Sequence, residues 1–513
     1  MTLSLILSLT GGALLSLAFA PWNLGFVAWL AFVPLLLALE REKKLPRASA
    51  CGFFFGLAFF LVDLRWIIQT MVIHGKFGAF DATIIFVSMV CALALIPALF
   101  SLFCAFLFNR GVDVLVAAPT VWTTLEFVRT YVFTGFPWDC VGYSQAHWPT
   151  LIQISDFSGV YGLSFLVIMM NVSALALLRI LHDRTWGSVA RLSIGIVILG
   201  VALAYGTLRL NQFPKDLVGA PTVAGGILQG NIPQDIKWDP ASRAQSFATY
   251  ESLAEKALKK GATFMIWPET SVPVVIGGTD ITWKYATNIS TKLDVPMLIG
   301  APFEKRIGDQ VQFFNSAFLV ENGELTQRYD KIHLVPFGEY MPLSWILPLG
   351  PGIAAREEDY LAGSVMTVMN VSGFPPFSVL ICYEAIFPDL SRSAVSSGAK
   401  VLVNITNDGW FGDSAAPYQH LVMAGFRAVE NRVWLFRAAN TGISAVFDPG
   451  GRLVAWLPLM VQGELVYNIP ANPDAGSFYT RNGDVFAWTI SGLLIVFTLT
   501  SLVGSQVFLK RNS

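Results

Sequence analysis

Phe377-Ser-Val-Leu-Ile-Cys-Tyr-Glu384 is a run of apolar residues that ends on a thiol and, two residues later, on a carboxylate. The near-continuous apolar pattern over 377–381 predicts a strand that is buried on both faces of its sheet. Cys382 follows where this strand ends, which is a usual position for a nucleophile on a rigid scaffold. A buried structural cysteine is the alternative, because most free cysteines pack as small apolar residues.

Similar apolar runs alternate with polar stretches of helical pattern throughout 220–474. Strands are predicted at 223–229, 263–267, 296–300, 315–320, 377–381, 401–404 and 444–447. Helices are predicted at 241–260 and 418–432. Strands that are apolar throughout must be covered on both faces, so we expect this part of the chain to form a layered α/β domain with its own core.

The composition indicates that the chain is an integral membrane protein. Of its 513 residues, 54% are hydrophobic and only 13% are charged, and the mean hydropathy is +0.57. These values are too apolar for a soluble protein of this length. A net charge of −1 gives no electrostatic reason to expect a nucleic-acid partner. The five cysteines show no Cys-x-x-Cys spacing and no matching histidine pairs, so we expect no metal site, cofactor or disulfide framework.

Eight apolar segments are candidates to cross a bilayer, which requires roughly 17 to 25 residues. They lie near 3–20, 24–39, 50–70, 82–108, 112–128, 157–178, 192–209 and 486–508. We therefore expect transmembrane helices 1 to 7 within 1–210, an extracytoplasmic domain over 220–474 and transmembrane helix 8 at 486–508. A cleaved signal peptide at 1–20 is an alternative, although the segment has no basic residue at its start and its removal would leave an odd number of spans.

Basic residues set the expected orientation of these spans. If the spans alternate, the loops that carry the basic residues all fall on one side of the membrane. These residues are Arg41, Lys43, Lys44, Arg47, Arg110, Arg179, Arg184, Arg191, Lys510 and Arg511. By the positive-inside rule that side is the cytoplasm. Both termini are therefore expected in the cytoplasm, and the 220–474 domain is expected outside the cytoplasm.

Two further side chains match the chemistry that Cys382 requires: Glu269 in a Trp-Pro-Glu-Thr sequence and Lys331 in a Tyr-Asp-Lys-Ile-His sequence. A free thiol has a pKa of about 8.5, so a base or a cation must activate it at neutral pH. Glu269 could take the proton, and Lys331 could stabilise a thiolate and then an oxyanion beside the backbone N–H of Tyr383. Taken singly, Glu269 could equally cap the segment after a strand, and Lys331 could be a surface ion-pair partner.

The motifs Trp-Pro-Glu269, Tyr-Asp-Lys331 followed by Leu-Val-Pro-Phe-Gly-Glu339, and Cys382-Tyr-Glu384 resemble the Glu-Lys-Cys triad of the nitrilase superfamily. The whole layout is similar to a membrane-bound family within it, the apolipoprotein N-acyltransferases, which catalyse the last step of bacterial lipoprotein maturation. The likeness covers nearly the whole chain. It is also carried by Phe19-Ala-Pro21, Gly135-Phe-Pro-Trp138, Gly142-Tyr143, Gln229-Gly-Asn-Ile-Pro-Gln234, Trp238 and Asn404-Ile-Thr-Asn-Asp-Gly-Trp-Phe-Gly412.

This resemblance implies an α-helical polytopic membrane domain with eight transmembrane helices and a nitrilase-like αββα sandwich, in the inner membrane of a bacterium. It implies that Glu269 is the general base, Lys331 the oxyanion-stabilising cation and Cys382 the acylated nucleophile. Four more positions match residues that the family needs for activity. These are Trp238, Glu339, Tyr383 and Glu384.

The implied reaction has two steps and needs no cofactor. Cys382 first takes a fatty acyl chain from a phospholipid, by resemblance phosphatidylethanolamine, and holds it as a thioester. The α-amine of the diacylglyceryl-cysteine at the N terminus of an apolipoprotein then accepts the chain as an amide. An α-amine has a pKa of about 7.7 to 8.0, so a useful fraction is already neutral at pH 7.

Two other functions are consistent with the residues: a membrane-tethered amidase that hydrolyses its thioester with water, and a transporter or receptor whose outer domain only binds. A transporter would be expected to show broken helices or polar intramembrane pathways. The sequence offers little beyond charges at span ends, namely Asp63, Arg65, Glu126 and Arg129, which could contact lipid head groups, pair or snorkel.

Three other features stay outside the expected site. Cys140 lies in an outer loop and is not expected to be functional. The segments 345–351 and 415–419 are candidate mobile lips for lipid access, with ordinary surface loops as the alternative.

Overall fold

A computed structural model describes residues 1–183, 185–212, 221–308, 310–341 and 359–511. The chain divides into two compact units. The first consists of Met1–Gln69, Gly78–Gln212 and Asn482–Ser513, and the second of Thr70–Phe77 and Phe213–Arg481. The short segment Thr70–Phe77 therefore groups with the second unit, although it follows directly on the apolar segment predicted at 50–70.

The first unit is helical. Its elements are α1 (Thr2–Ser16), α2 (Val33–Arg41), α3 (Leu45–Asp63), the start of α4 (Trp66–Ile73), α5 (Ala79–Phe108), α6 (Val114–Tyr131), α7 (Pro149–Ile152), α8 (Ser155–Asp183), α9 (Trp186–Leu210) and α15 (Val485–Arg511). Helix α3 packs against α1 and α5, and α8 packs against α6 and α9.

Five helices of the described residues are long and apolar enough to cross a bilayer. They are Leu45–Asp63, Ala79–Phe108, Ser155–His182, Trp186–Leu210 and Val485–Val503. All eight predicted segments contain helix, but α1 and α2 are shorter than a bilayer requires. The structure thus supports several apolar helices, and the number eight stays a prediction.

Most of the charges that the sequence places near span ends are buried in this unit. Asp63, Glu126 and Arg129 are all less than a tenth exposed, whereas Arg65 is exposed and lies over the ring of Trp22. Glu126 Oε1 accepts a hydrogen bond from the backbone N–H of Val141 at 2.7 Å. These charges are therefore mostly held inside the helical unit, which argues against simple snorkelling of Asp63, Glu126 and Arg129.

The second unit contains two six-stranded sheets. In spatial order the first consists of β12 (Gly463–Pro470), β1 (Thr222–Gln229), β2 (Phe264–Ile266), β3 (Met297–Ile307), β4 (Gln310–Glu321) and β5 (Glu324–Asp330). The second consists of β11 (Leu453–Leu457), β10 (Ser444–Phe447), β9 (Trp434–Ala439), β8 (Val401–Thr406), β7 (Phe374–Ile381) and β6 (Val368–Val371). The central strands β1 to β3 and β7 to β9 are parallel, and the outer pairs are antiparallel.

The two sheets face each other across one apolar core. Ile227, Phe264 and Leu298 from the first sheet share this core with Val379 and Phe436 from the second. The opposite faces are covered by helices: α10 (Pro240–Lys259) and α11 (Lys284–Leu293) on the first sheet, and α12 (Pro388–Ser396) and α13 (Ala416–Asn431) on the second. The unit is thus an αββα sandwich, and parallel strands covered on both faces explain the continuous apolar runs in the sequence.

The predicted strands and helices of this unit are all present, with longer bounds in several cases. Four of the five strands that the sequence did not predict, β5, β6, β11 and β12, are the edges of the two sheets. Edge strands are only half covered, so their sequences are more polar. The fifth, β9, is fully buried but contains Arg437, which interrupts the apolar pattern. Helices α11, α12 and α14 (Phe478–Asn482) were also missed.

Candidate active site

Glu269, Lys331 and Cys382 all follow the carboxyl ends of strands in the second unit. Lys331 and Cys382 come directly after β5 and β7, and Glu269 lies three residues beyond the end of β2. All three are buried, with exposed fractions of 6%, 1% and 8%. Burial matters because ionised side chains are seldom buried unless other groups compensate their charge.

Lys331 Nζ lies between two carboxylates. It is 2.8 Å from Glu339 Oε2 and 3.8 Å from Glu269 Oε1. The side-chain amide of Asn315 donates to both carboxylates, at 2.8 Å to Glu269 Oε1 and 2.7 Å to Glu339 Oε1. The carbonyl oxygen of Asn315 also accepts from the backbone N–H of Lys331 at 2.9 Å. Asn315 on β4 therefore fixes both carboxylates and the lysine backbone.

Lys331 stays charged in this setting. Burial alone would lower the pKa of its ammonium, but the carboxylates of Glu339 and Glu269 outweigh burial and hold that pKa well above its ordinary value. A permanently protonated lysine can stabilise a negative oxygen but cannot act as a base. In this cluster Glu269 is thus the group able to accept a proton from a nucleophile.

Two neighbouring segments fix the position of Glu269. Its Oε2 accepts a hydrogen bond at 2.8 Å from the backbone N–H of Asn407, in the loop after β8. On the other side Gly300 of β3 approaches so closely that a Cβ there would lie 2.8 Å from the Glu269 Cα. A side chain at position 300 would therefore displace the carboxylate, which explains why glycine is required at this close approach.

Cys382 occupies a strained turn at the end of β7. Its φ angle is +53°, in the left-handed region that non-glycine residues seldom adopt. The carbonyl oxygen of Cys382 lies 3.1 Å from His420 Nε2 and accepts from Asn404 Nδ2 at 3.5 Å. Burial, followed by the charge of Glu269, raises the pKa of the thiol well above its ordinary value. The resting cysteine is therefore a thiol that needs a base at the moment of attack.

A buried ionic network lies behind this turn. His420 Nδ1 is 3.2 Å from Asp408 Oδ1, and Arg437 donates to Asp408 Oδ2 at 2.7 Å and also to the side chain of Asn404. Burial would raise the pKa of Asp408, but Arg437 and His420 lower it to about 2. Burial and then Arg437 lower the pKa of His420. The network is thus an ionised Asp–Arg pair that orients a neutral histidine toward the Cys382 carbonyl.

The carboxylate of Glu384 connects the end of β5 in the first sheet with the end of β7 in the second. It accepts from the Tyr329 hydroxyl at 2.8 Å and from the backbone N–H groups of Ile332 at 2.7 Å, His333 at 3.1 Å and Ile381 at 2.7 Å. It thereby ties the Lys331 segment to the Cys382 turn, so it is not a solvated loop carboxylate.

The other two sequence-predicted residues differ in position. Tyr383 is half-buried and its ring stands 5.1 Å from Phe387 and 5.8 Å from His333. Trp238 is 39% exposed and lies just before α10. Glu339 contacts Lys331 directly, and Glu384 contacts the residue before Cys382. Trp238 is partly exposed to solvent.

Four residues in or beside the site were not singled out from the sequence: Lys237, Asn315, Asn407 and His420. Asn407 lies inside the 404–412 motif, and Lys237 directly precedes Trp238, so the motifs that carry the family resemblance contain or adjoin both residues. Asn315 and His420 lie in a predicted strand and helix, and nothing in their local sequence indicates a role.

Two earlier expectations concern other parts of the unit. The candidate lip at 345–351 lies outside the described residues. The one at 415–419 is not a loop, because α13 begins at Ala416 and both Ala416 and Gln419 are buried. Within the ranges that the structure describes, no group of three or more His, Cys, Asp and Glu side chains could hold a metal ion.

A thiol, a carboxylate base and a permanent cation that meet at the ends of strands in an αββα sandwich can transfer an acyl group through a thioester. This combination defines a nitrilase-type cysteine enzyme. In agreement, residues 226–472 match the family model described as carbon-nitrogen hydrolase. Residues 11–173 match the apolipoprotein N-acyltransferase N-terminal domain.

Curated relatives extend the match to nearly the whole chain. The chain is 39% identical to an apolipoprotein N-acyltransferase of Geobacter metallireducens over 96% of this chain and 94% of the relative. It is 31% identical to the apolipoprotein N-acyltransferase of Brucella melitensis over 98% of this chain and 95% of the relative. The chain belongs to the apolipoprotein N-acyltransferase family, and it is an acyl-transferring enzyme with a nitrilase-like domain and apolar membrane helices.

Solved structures are similar to about half of the chain. An amidase from Nesterenkonia sp. aligns with 52% of this chain and 95% of its own length, at 20% identity and a TM-score of 0.38. Nit3 of Saccharomyces cerevisiae aligns with 52% of this chain and 94% of its own length, at 18% identity and a TM-score of 0.38.

Proposed function

We propose that Cys382, Glu269 and Lys331 carry out an N-acyl transfer in which a phospholipid donates a fatty acyl chain and an apolipoprotein accepts it. The observation that carries this assignment is the position of Lys331 between two carboxylates, of which Glu269 also acts electrostatically on the buried thiol of Cys382. Family membership supplies the acceptor, and the geometry supports the roles of these residues.

In the first half-reaction Cys382 attacks an ester carbonyl of the phospholipid. Glu269 takes the thiol proton as the S–C bond forms, and the carbonyl oxygen becomes negative beside the Lys331 ammonium and the backbone N–H of Tyr383. The ester C–O bond then breaks, and the protonated Glu269 returns its proton to the departing alkoxide. The products are a lysophospholipid and an acyl thioester on Cys382.

In the second half-reaction the neutral α-amine of the diacylglyceryl-cysteine attacks the thioester. Glu269, again ionised, takes a proton from the amine as the C–N bond forms. When the C–S bond breaks, the sulfur leaves as a thiolate and recovers the proton from Glu269. The same carboxylate thus works in both directions, as microscopic reversibility requires.

Several finer assignments belong to the same proposal. The donor is phosphatidylethanolamine, and Trp238, Glu339, Tyr383 and Glu384 support catalysis or substrate binding. Eight transmembrane helices in the bacterial inner membrane leave both termini in the cytoplasm. The domain boundaries are 1–210 for the first seven helices, 220–474 for a periplasmic catalytic domain and 486–508 for the last helix.

The direct test is to incubate the purified full-length protein with phosphatidylethanolamine and measure its intact mass. We expect a fatty-acyl adduct that is absent in Cys382→Ser and in Cys382→Ala. A wild-type protein that forms no adduct with any phospholipid contradicts the proposed donor reaction.

The acyl-enzyme is then offered a diacylated lipopeptide. Formation of the triacylated peptide supports transfer, whereas release of free fatty acid at the same rate with and without peptide favours the hydrolytic amidase. Binding of lipid or peptide without any covalent step favours a transporter or receptor.

The orientation is tested separately with a membrane-impermeant thiol reagent. Single cysteines introduced at exposed positions of 220–474 should react in intact cells once the outer membrane is permeabilised. Reaction only after the inner membrane is opened would refute the periplasmic assignment.

A further inference from the structure

His420 is a buried histidine that lies between the Asp408–Arg437 ion pair and the Cys382 turn. It is 1% exposed and belongs to the first half of α13. Its Nε2 lies 3.1 Å from the carbonyl oxygen of Cys382. Its Nδ1 lies 3.2 Å from Asp408 Oδ1 and 3.2 Å from Arg437 Nη2. The ring therefore contacts charged side chains with one nitrogen and the backbone of the nucleophile with the other.

These contacts determine which ring nitrogen carries the hydrogen. A carbonyl oxygen can only accept, so Nε2 must be the donor toward Cys382. In a neutral imidazole the other nitrogen is then an acceptor, and the guanidinium of Arg437 can donate to it. Burial, followed by the charge of Arg437, lowers the pKa of His420 and so favours the neutral ring. His420 thus directs an N–H group at the Cys382 carbonyl oxygen.

The Cys382 carbonyl belongs to the same peptide group as the N–H of Tyr383. A peptide group is planar, and this one is trans, so its C=O and its N–H point in opposite directions. Asn404 Nδ2 also donates to the carbonyl oxygen, at 3.5 Å. Side chains that hold this oxygen therefore also set the direction of the N–H. Because hydrogen bonds in series polarise one another, an N–H becomes a stronger donor when its own carbonyl accepts a hydrogen bond.

We propose that His420 is a positioning residue for oxyanion stabilisation: its hydrogen bond to the Cys382 carbonyl aims the Tyr383 N–H at the substrate oxygen and strengthens that N–H as a donor. The inference rests on the proposed function, in which this N–H and the Lys331 ammonium stabilise the negative oxygen. It deepens that function, because it names the side chain that orients one of the two donors. His420 acts through the peptide group that joins Cys382 to Tyr383.

A histidine that only preserves the shape of the turn predicts a different behaviour. Cys382 has a φ angle of +53°, and such a conformation persists only where the surrounding structure enforces it. Loss of that support would displace the sulfur as well as the N–H, so every reaction of the sulfur would slow by the same factor. If His420 orients the N–H, only reactions that place a negative charge on a carbonyl oxygen should slow.

Two reactions of Cys382 separate these possibilities. In alkylation by iodoacetamide the S–C bond forms as the C–I bond breaks, and the negative charge leaves with iodide. In acylation by p-nitrophenyl butyrate the S–C bond forms at a carbonyl carbon, and the negative charge collects on the carbonyl oxygen before p-nitrophenolate leaves. Both reactions remove the thiol proton, but only the second needs a donor for a negative oxygen.

The experiment measures both rates at one pH with the full-length protein in detergent, and the modified cysteine is identified by peptide mass. His420→Asn places an amide near Asp408 that is too short to reach the Cys382 carbonyl, whereas the amide of His420→Gln extends as far as Nε2. His420→Leu removes both contacts and serves as a second variant. The control is Ser290→Ala on α11, which removes a buried 2.7 Å hydrogen bond to the Val295 carbonyl.

We expect acylation of His420→Asn to be about 10- to 100-fold slower than that of wild type, a smaller loss than removal of an oxyanion donor outright. Its alkylation rate should stay near that of wild type, so the ratio of acylation to alkylation should fall by the same factor. His420→Leu should resemble His420→Asn, and His420→Gln should restore most of the ratio. Ser290→Ala should keep the wild-type ratio even where its unfolding midpoint is lower.

Equal slowing of both reactions in His420→Asn and His420→Leu overturns the inference, and so does acylation at the wild-type rate in both variants. A ratio in His420→Gln as low as in His420→Asn also overturns it, because the hydrogen bond is then not what matters.

Acylation by phosphatidylethanolamine is measured in the same proteins to keep the two proposals distinguishable. If p-nitrophenyl butyrate gives the expected order of rates but no phospholipid acylates the enzyme, the proposed donor fails and this inference stands. If the phospholipid acylates wild type and His420→Asn equally fast, the donor stands and this inference fails. A wild-type protein that neither ester acylates overturns both.

Discussion

The two sheets of the sandwich bring different kinds of charge to the same cysteine. The first sheet supplies Glu269 and Lys331, whose charged atoms stand 3.8 Å apart with a second carboxylate closer to the lysine. The second sheet supplies Asp408 and Arg437, which are 2.7 Å apart and fully buried. An ion pair with a long distance between its charged atoms, and with a second carboxylate on the same cation, can change its partner or its protonation during a reaction. A short ion pair whose hydrogen bonds are all made keeps a fixed geometry.

This difference indicates a division of labour. In the proposed mechanism the charges on the first sheet change or are used during the reaction, while those on the second keep the strained Cys382 turn in place through His420 and Asn404. Variants on the first sheet should therefore lower the reaction rate more than the stability. Variants on the second sheet should do the reverse.

The largest effect is expected for Glu269→Gln. Glutamine can still accept from the Asn407 N–H, but it cannot take the thiol proton, so acylation should slow by about 1,000- to 10,000-fold. The unfolding midpoint should move by no more than a few degrees. Intact-mass kinetics with phospholipid measures the rate, and the exposed Glu255→Gln serves as control. A variant that keeps a tenth or more of wild-type activity would remove Glu269 from the role of base.

Asp408→Asn should show the opposite balance. The change leaves Arg437 buried without its carboxylate, and breaking such a pair costs about 3 to 5 kcal/mol of the free energy of unfolding. Denaturant titration in detergent measures this loss, with Asp280→Asn on the surface as control. If stability were unchanged while acylation disappeared, Asp408 would belong to the reacting groups and the proposed division of labour would be wrong.

A smaller effect is expected for Glu339→Gln. Without its 2.8 Å partner, Lys331 should pair more closely with Glu269 and so lower the proton affinity of that carboxylate, which makes it a weaker base. Acylation should slow by about 10- to 100-fold. The acylation rate is compared with that of Glu324→Gln, a variant of an exposed glutamate on β5. A faster enzyme would mean that Glu339 restrains the lysine instead of supporting it.

The smallest effect is expected for Trp238→Ala. The indole is 39% exposed, so its removal should raise the KM for a substrate about 3- to 10-fold and leave the unfolding midpoint unchanged. The exposed Trp456→Ala is the matched control. A large fall in kcat with an unchanged KM would instead connect Trp238 to the chemical step.

The sequence predicts those parts of the fold and candidate site that depend on local pattern. Cys382 was predicted because it follows an apolar strand, Glu269 and Lys331 were predicted because their chemistry and motifs match what a thiol nucleophile requires, and most central strands were predicted because they are apolar on both faces. The sheet edges were missed because half-covered strands carry polar residues. Strand β9 was missed because Arg437 is polar in sequence but is neutralised in space by Asp408.

The missing members of the site depend on contacts between distant segments. Asn315 reaches two carboxylates only because β3, β4 and β5 pair in one register, and no property of its neighbours in sequence indicates that. The burial of Lys237 and its hydrogen bond to the Glu269 carbonyl oxygen also depend on the fold. The positive φ angle of Cys382 is likewise set by the fold, since cysteine itself gives no sign of it.

The bridge made by Asn315 has a consequence for the chemical ageing of the enzyme. Its amide holds two carboxylates at 2.8 and 2.7 Å, so deamidation to aspartate would replace two hydrogen-bond donors with a third negative charge beside one lysine. The strand around Asn315 disfavours that reaction, because paired extended backbone keeps the N–H of Ser316 from reaching the side-chain carbonyl. We therefore expect this peptide to gain about one dalton only slowly in the native enzyme and faster after partial unfolding, with activity falling in step with that mass gain.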